Sequence, residues 1–280
     1  MKTQTYEDQN VDIVQRTEDS RRDYVRIDEP ESEVRKLLRD RKSSSLKKYM
    51  WLTSGSPSMW RFFLLEVLTM CLSGLPGAIG IYLRQKLYPL LLQRCGRGVV
   101  FGRNVTLRHP HRIRLGDRVM IDDGAVLDGK GEDKTTITIG DDSIVGRHSL
   151  LVCKGGTISL AQEVNVSVNC TLISESSLSI GDKSLVAGNC YIIAGGNHGM
   201  DVGGVPFVEQ PRQQKGGVVI HENCWFGANA TVLDGTAIGP HSIVGAASLV
   251  VRDVPPQNMV RGVPARIVYV EDAKKPRLAR

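Results

Sequence analysis

From about residue 99 the chain repeats with a period of six, and that period excludes most folds. A helix brings side chains back to one face about every 3.6 residues and a strand every 2, so neither alone satisfies a sixfold repeat. The marks fall at 115, 121 and 127, then 139, 145 and 151, then 160, 166 and 172. They continue at 180, 186 and 192, at 220, 226 and 232, and at 238, 244 and 250. Seventeen of these eighteen residues are Leu, Ile or Val, and Phe226 is the exception. Four residues after every mark stands Gly, Ala, Ser, Cys, Thr or Val. A unit of one short strand and one corner, three units to a turn, answers both regularities. It turns one aliphatic side chain inward on each flat face, and a small residue fits where the prism narrows. Stacked turns then pair as parallel strands about 4.8 Å apart, with like residues in ladders.

Some corners are wider. Residues 128–136 and 152–158 lengthen two turns, and one insertion is large. Ile192 and Ile220 stand 28 positions apart where six or eight would close the turn. About 20 residues, GGNHGMDVGGVPFVEQPRQQKGG, therefore leave the scaffold, and long excursions from a compact scaffold tend to carry function.

Ahead of the repeat, residues 1–34 hold five basic against ten acidic residues, and residues 35–48 hold seven basic against one acidic. This is the composition of a charged, disordered tail over 1–50. Residues 51–98 are apolar and helical in pattern. Within them, Arg61, Glu66, the Gly74–Gly77 turn and Arg84-Gln85-Lys86 break MWRFFLLEVLTMCLSGLPGAIGIYLRQKLYPLLL into pieces too short for the roughly 20 residues of a spanning helix. Two short helices joined at the Gly-Pro turn are expected. They would either cap the repeat or, with the basic stretch before them and Trp51 and Trp60 beside them, make peripheral contact with a membrane through 51–92. The net charge of +6 is too mild for nucleic acid, and no basic–aromatic motif is present. The opening MKTQTYEDQNVDIVQRTEDS is polar and does not read as a secretory signal. Six cysteines without a CxxC pair read as free thiols in a reducing cytoplasm rather than as disulfides or a zinc site.

IGDDSIVGRHSL at 139–150, IGDKSLVAGNCY at 180–191 and IGPHSIVGAASL at 238–249 resemble the hexapeptide-repeat acyltransferases. Asn197-His198 at the mouth of the long loop, ENCWFGANATVLDGTAIG at 222–239 and VRGVPARIV at 260–268 are most similar to the galactoside and maltose O-acetyltransferases and to those of surface-polysaccharide clusters. The resemblance implies a mainly β fold, a left-handed parallel β-helix over 99–270 with an inserted loop at 196–217, a helical N-terminal extension and a tail at 271–280. It further implies a homotrimer that transfers acetyl from acetyl-CoA to a sugar hydroxyl. A lipid-linked or cell-surface polysaccharide precursor would be one such acceptor, met at the inner face of the cytoplasmic membrane.

By the same resemblance His198 is the general base, since a neutral imidazole removes the acceptor's proton as it attacks a thioester. Asn197 stands beside it. Asp201 and Glu209 are in reach to orient the ring, and Gly199 occupies the place where some relatives carry a carboxylate. Ser167 and Asn169 stand where sugar acetyltransferases carry an acceptor-binding Asn-x-Asn pair. Trp225, Gly227, Ala228, Gly245, Ala246 and Ala247 would line a groove for the thin pantetheine arm. The Ala228 backbone N–H would face the oxyanion, and Arg252 and Arg266 would take the phosphates. No metal is expected: the paired His-x₄-His of the zinc hydratases on this fold is missing. His148 and His241 fall at corners, His221 at a Gly-like position, and His109 and His111 on the first turn as structural residues. Longer-chain acyl transfer, transfer to an amino group and a non-catalytic scaffold are the other readings.

Overall fold

The computed structural model describes residues 25–27, 36–37, 39–56, 58–131, 134–199, 204 and 206–268. Asp201, the 271–280 tail and most of the charged segment before residue 36 lie outside these. Three parallel sheets form the faces of a prism. The first face runs from Arg94–Cys95 to Thr236–Ile238 in seven strands. The second runs from Val100–Phe101 to Arg266–Val268 in nine, and the third from Thr106–Arg108 to Leu249–Val250 in seven. Only the last strand, Arg266–Val268, runs antiparallel, folding back on Met259–Arg261. Strand pairing thus begins at Arg94–Cys95, a few residues before the repeat is evident in the sequence.

All eighteen marked side chains point inward and are at most 2% exposed. They stack in register, as in Leu127, Leu151, Leu172, Ile192, Val232 and Val250 on the third face. The small residues four positions on behave in two ways. At the first two corners of each turn they are buried. At the third corner Gly131, Gly155, Ser176 and Gly196 lie outside the core, because there the chain bulges to accommodate its extra residues.

Narrowness is only half the reason those corner residues are small. Ser149 Oγ donates to the Ser167 carbonyl in the next turn at 2.7 Å and accepts from Cys170 N–H at 3.0 Å. Ser143 and Ser184 make the same stitch. Where cysteine stands instead, its thiol donates to the neighbouring turn: Cys170 to Ala187, Cys190 to Gly227 and Cys224 to Gly239. All six cysteines are free. Burial pushes the thiols of Cys95 and Cys153 up to about 11 and about 12, so neither is a nucleophile. One residue before the buried corner residues the backbone is left-handed, at Arg118, Asp142, His148, Glu163, Asn169, Lys183, Asn189, Asn223, Asn229, His241 and Ala247. His148 and His241 are therefore exposed turn residues.

Ahead of the prism the described residues include the helices α1 (Ser45–Thr53), α2 (Met59–Leu72) and α3 (Gly77–Leu87). Ser44 and Ser58 cap the first two by accepting the N–H of Lys47 and Arg61. Arg84 of α3 is fully buried and ties the helices to the first turn. Its guanidinium donates to the carbonyls of Leu72, Leu75 and Phe101 at 2.8–3.0 Å. His109 is a second tie: Nε2 lies 3.0 Å from the Trp51 carbonyl and Nδ1 lies 3.0 Å from Asp128 Oδ1. A carbonyl only accepts, so Nε2 carries a proton. No helix among the described residues is long and apolar enough to cross a membrane.

Candidate active site

The long excursion is built rather than loose. Gly195 and Gly196, both at positive φ, turn the chain off the third face, and Gly216 and Gly217 return it. Between them Asn197–His198 pairs antiparallel with Arg212–Gln214, and Val25–Ile27 from the N-terminal segment adds a third strand. Two carboxylates fix the base of this sheet. Asp234, 5% exposed, accepts from Asn197 Nδ2 at 3.1 Å, Lys215 N–H at 2.7 Å and Gly217 N–H at 2.9 Å, so one side chain holds both stems. Glu175 accepts from Gly196 N–H at 3.2 Å and stands 3.7 Å from Arg212 Nη1 and 3.8 Å from Lys154 Nζ. Its own carbonyl accepts from Gln214 Nε2.

His198 follows directly on Asn197. Its backbone is held in the ladder opposite Arg212, while its imidazole is exposed, with no hydrogen-bond partner among the described residues. Glu209 is exposed on the short helical turn Phe207–Glu209. Gly199 packs against Gln210, and its N–H donates to the Pro211 carbonyl.

The other sequence candidates lie on a different edge. Ser167, Asn169, Gly227, Ala228, Gly245, Ala246 and Ala247 all occupy the second corner, in successive or near-successive turns. Gly227 N–H donates to Val244, Gly245 N–H to Val260 and Ala247 N–H to Ala228. The Ala228 N–H is half-buried and donates to no group of the chain among the described residues. Trp225 stands exposed on the second face just before this corner. Gly227 is required there, since a Cβ would fall 2.5 Å from Ala246 N. Arg252 is on the third corner, the edge of His198, whereas Arg266 is on the second face. The two arginines are thus not neighbours within the chain. Arg266 instead pairs across its ladder with Arg261, which sequence reasoning passed over.

Between the two edges lies the third face, whose strand Tyr191–Ala194 spans four residues, about 13 Å. Asp234 and Glu175 were also missed. Their partners are up to 39 positions away, and an Asp before Gly235 reads locally as an ordinary turn. A cavity of about 310 Å³ lies apart from this region, where α1 and α2 meet the first turn, beside Ser54, Arg61, Leu64, Gln93 and His111.

Residues 217–252 match the family model for the bacterial transferase hexapeptide (six repeats). The chain is 29% identical over 120 residues to the galactoside O-acetyltransferase of Escherichia coli K12, covering 41% of this chain and 54% of that protein. It is 33% identical over 120 residues to the protein of the same organism named "Putative lipopolysaccharide biosynthesis O-acetyl transferase WbbJ", covering 40% and 60%. The chain thus spans little more than half the length of these relatives. Among solved structures it is similar to AntD, an N-acyltransferase from Bacillus cereus in complex with dTDP and 3-hydroxybutyryl-CoA. The TM-score is 0.47 with 21% identity, covering 66% of this chain and 86% of that one.

Proposed function

We propose that this hexapeptide-repeat protein transfers an acetyl group from acetyl-CoA to a hydroxyl of a saccharide, with His198 as general base. The observation that carries the reading is an exposed imidazole with no hydrogen-bond partner among the described residues, set on a strand end that a buried Asp234 anchors. A ring so held has its nitrogens available to an acceptor hydroxyl while its backbone stays in place. That is what general-base catalysis requires, and the effect is worth roughly 10²–10⁴-fold. The relatives' names supply the acetyl donor class and the sugar-directed acceptor class.

The edge carrying His198 and Arg252 and the edge carrying Ser167, Asn169, Trp225, Gly227, Ala228 and Gly245–Ala247 are a face apart. In our reading one copy supplies each edge and the site forms between copies of a homotrimer. The thioester carbon is attacked by the acceptor oxygen, whose proton passes to His198, and CoA leaves as the thiol. The free Ala228 N–H would donate to the oxyanion. Arg252 and Arg266, from different copies, would meet the nucleotide phosphates. The acceptor we favour is a lipid-linked saccharide at the inner face of the cytoplasmic membrane. Longer acyl chains or amino acceptors would use the same residues.

Steady-state kinetics over a panel of free and lipid-linked saccharides tests this. His198→Ala should cost roughly 3–5 kcal/mol of transition-state stabilisation with acetyl-CoA affinity within a few-fold. Arg252→Ala should raise KM for acetyl-CoA with kcat changed less. A His198→Ala protein keeping more than about a tenth of kcat would move the base elsewhere. Absence of thermal stabilisation by acetyl-CoA would favour the scaffold reading.

A further inference from the structure

We propose that the outward faces of α2 and α3, with the basic stretch that leads into α1, form a docking surface for an anionic lipid bilayer. This goes beyond the transfer reaction and does not rest on it. A surface helix ordinarily turns polar residues to water, but α2 carries large apolar side chains on its outward face as well as its inward one. Leu65 and Leu72 face the protein, while Trp60, Phe63 and Met70, spaced at helical intervals, face outward; Trp60 is 70% and Met70 79% exposed. Trp60 and Phe63 stack on each other at 6.5 Å in the open. On α3, Gly80 and Arg84 are buried, and Ile79, Tyr82 and Lys86 form the outward stripe, with Lys86 Nζ 5.7 Å from the Tyr82 ring centre. Large apolar side chains exposed along helix faces in this way mark an interaction site.

Charge selects the occupant. Residues 36–93 carry nine Lys and Arg against two Asp and Glu, a surplus of seven, whereas the surplus of the whole chain is six. With the buried Arg84 set aside the surplus is still six, equal to that of the whole chain, so the net positive charge lies beside the apolar stripes. A second copy laid on this face would set like charges against each other. An anionic leaflet instead takes apolar and aromatic side chains at its boundary and cations at its headgroups. At 14 and 11 residues the helices are too short to cross, so they would lie in the interface plane.

Flotation of the full chain with vesicles of phosphatidylcholine containing about one-third phosphatidylglycerol tests the proposal. The protein should float with these and not with pure phosphatidylcholine. Raising salt from about 0.1 M to about 0.5 M should weaken binding at least tenfold. Removing three charges in Arg41→Ser/Lys42→Ser/Lys47→Ser should also weaken it more than tenfold. Trp60→Ser/Phe63→Ser should abolish flotation with circular dichroism unchanged, and Ile79→Ser on α3 gives the same reading if the first pair disturbs α2. Failure to float with anionic vesicles, or apolar variants that float as well as the parent, would overturn it. Variants that change the sedimenting species without any vesicle binding would assign the face to a second copy instead.

Discussion

Asp234 gathers three donors from two stems of one excursion, and this makes it the residue on which the geometry of His198 depends most. Asp234→Asn would turn an amide toward N–H groups that need an acceptor. A displacement of about 1 Å at a catalytic group can cost about a hundredfold. The expected result is a kcat loss of tenfold or more with KM for acetyl-CoA little changed. Amide exchange at Gly217 should quicken, which a defect elsewhere in the prism would not produce. His111 gives a pH prediction. Burial, helped by the nearby Arg112, His109 and Arg61, pushes its imidazole down to about 4. The unfolded chain binds that proton first, so stability present above the ordinary histidine value of about 6.5 should be lost as pH falls from about 7 toward about 4. Thermal melts of His111→Asn across that window should show a shallower decline than the parent.

Within a single turn of the prism, the stitch between corners is the element that decides stability. Ser149→Ala would leave the Ser167 carbonyl and the Cys170 N–H without their partner, a loss of about 1–3 kcal/mol. Cys190→Ser keeps a small donor in the same place and should shift the denaturation midpoint far less. Comparing the two in urea separates hydrogen bonding from size. The inward marks were legible in the sequence because a period of six leaves one aliphatic position per face and no local interaction competes with it. The outward position of Gly131, Gly155 and Ser176 was not, since extra residues at the third corner relieve the constraint without altering the spacing of the marks. The break between α2 and α3 could be read from Gly74–Gly77. The role of Arg84 could not, because its three carbonyl acceptors belong to segments 9 to 17 positions away and leave no pattern in side-chain type. The place of His198 at the mouth of the excursion was legible through a motif. Asp234 was not legible, for the same reason of distance, and Arg261 was not because its pairing with Arg266 depends on the last strand folding back antiparallel.

Taken whole, the prism is a column in which each turn touches chiefly the turns above and below, and the candidate site uses two of its three edges. Sedimentation should therefore give a trimer of the 30.8 kDa chain, and a stable monomer at micromolar concentration would remove the composite site. The strand Val25–Ile27 does not share the column's local character. Val25 pairs with Gln214, 189 positions later, with the helices and the first five turns of the prism between them in sequence. During synthesis, turns can be laid down one on another as they emerge, each closing a loop of about 20 residues, and propagation of that kind is fast. That strand has no partner until residues 212–214 have left the ribosome and the excursion has been pinned by Asp234. The order of manufacture is thus inverted at this one place: a strand made before the prism waits for one that follows five of its turns. Pulse-labelled amides in Arg212–Gln214 that bond toward Val25–Ile27 should gain protection after those of the stacked faces.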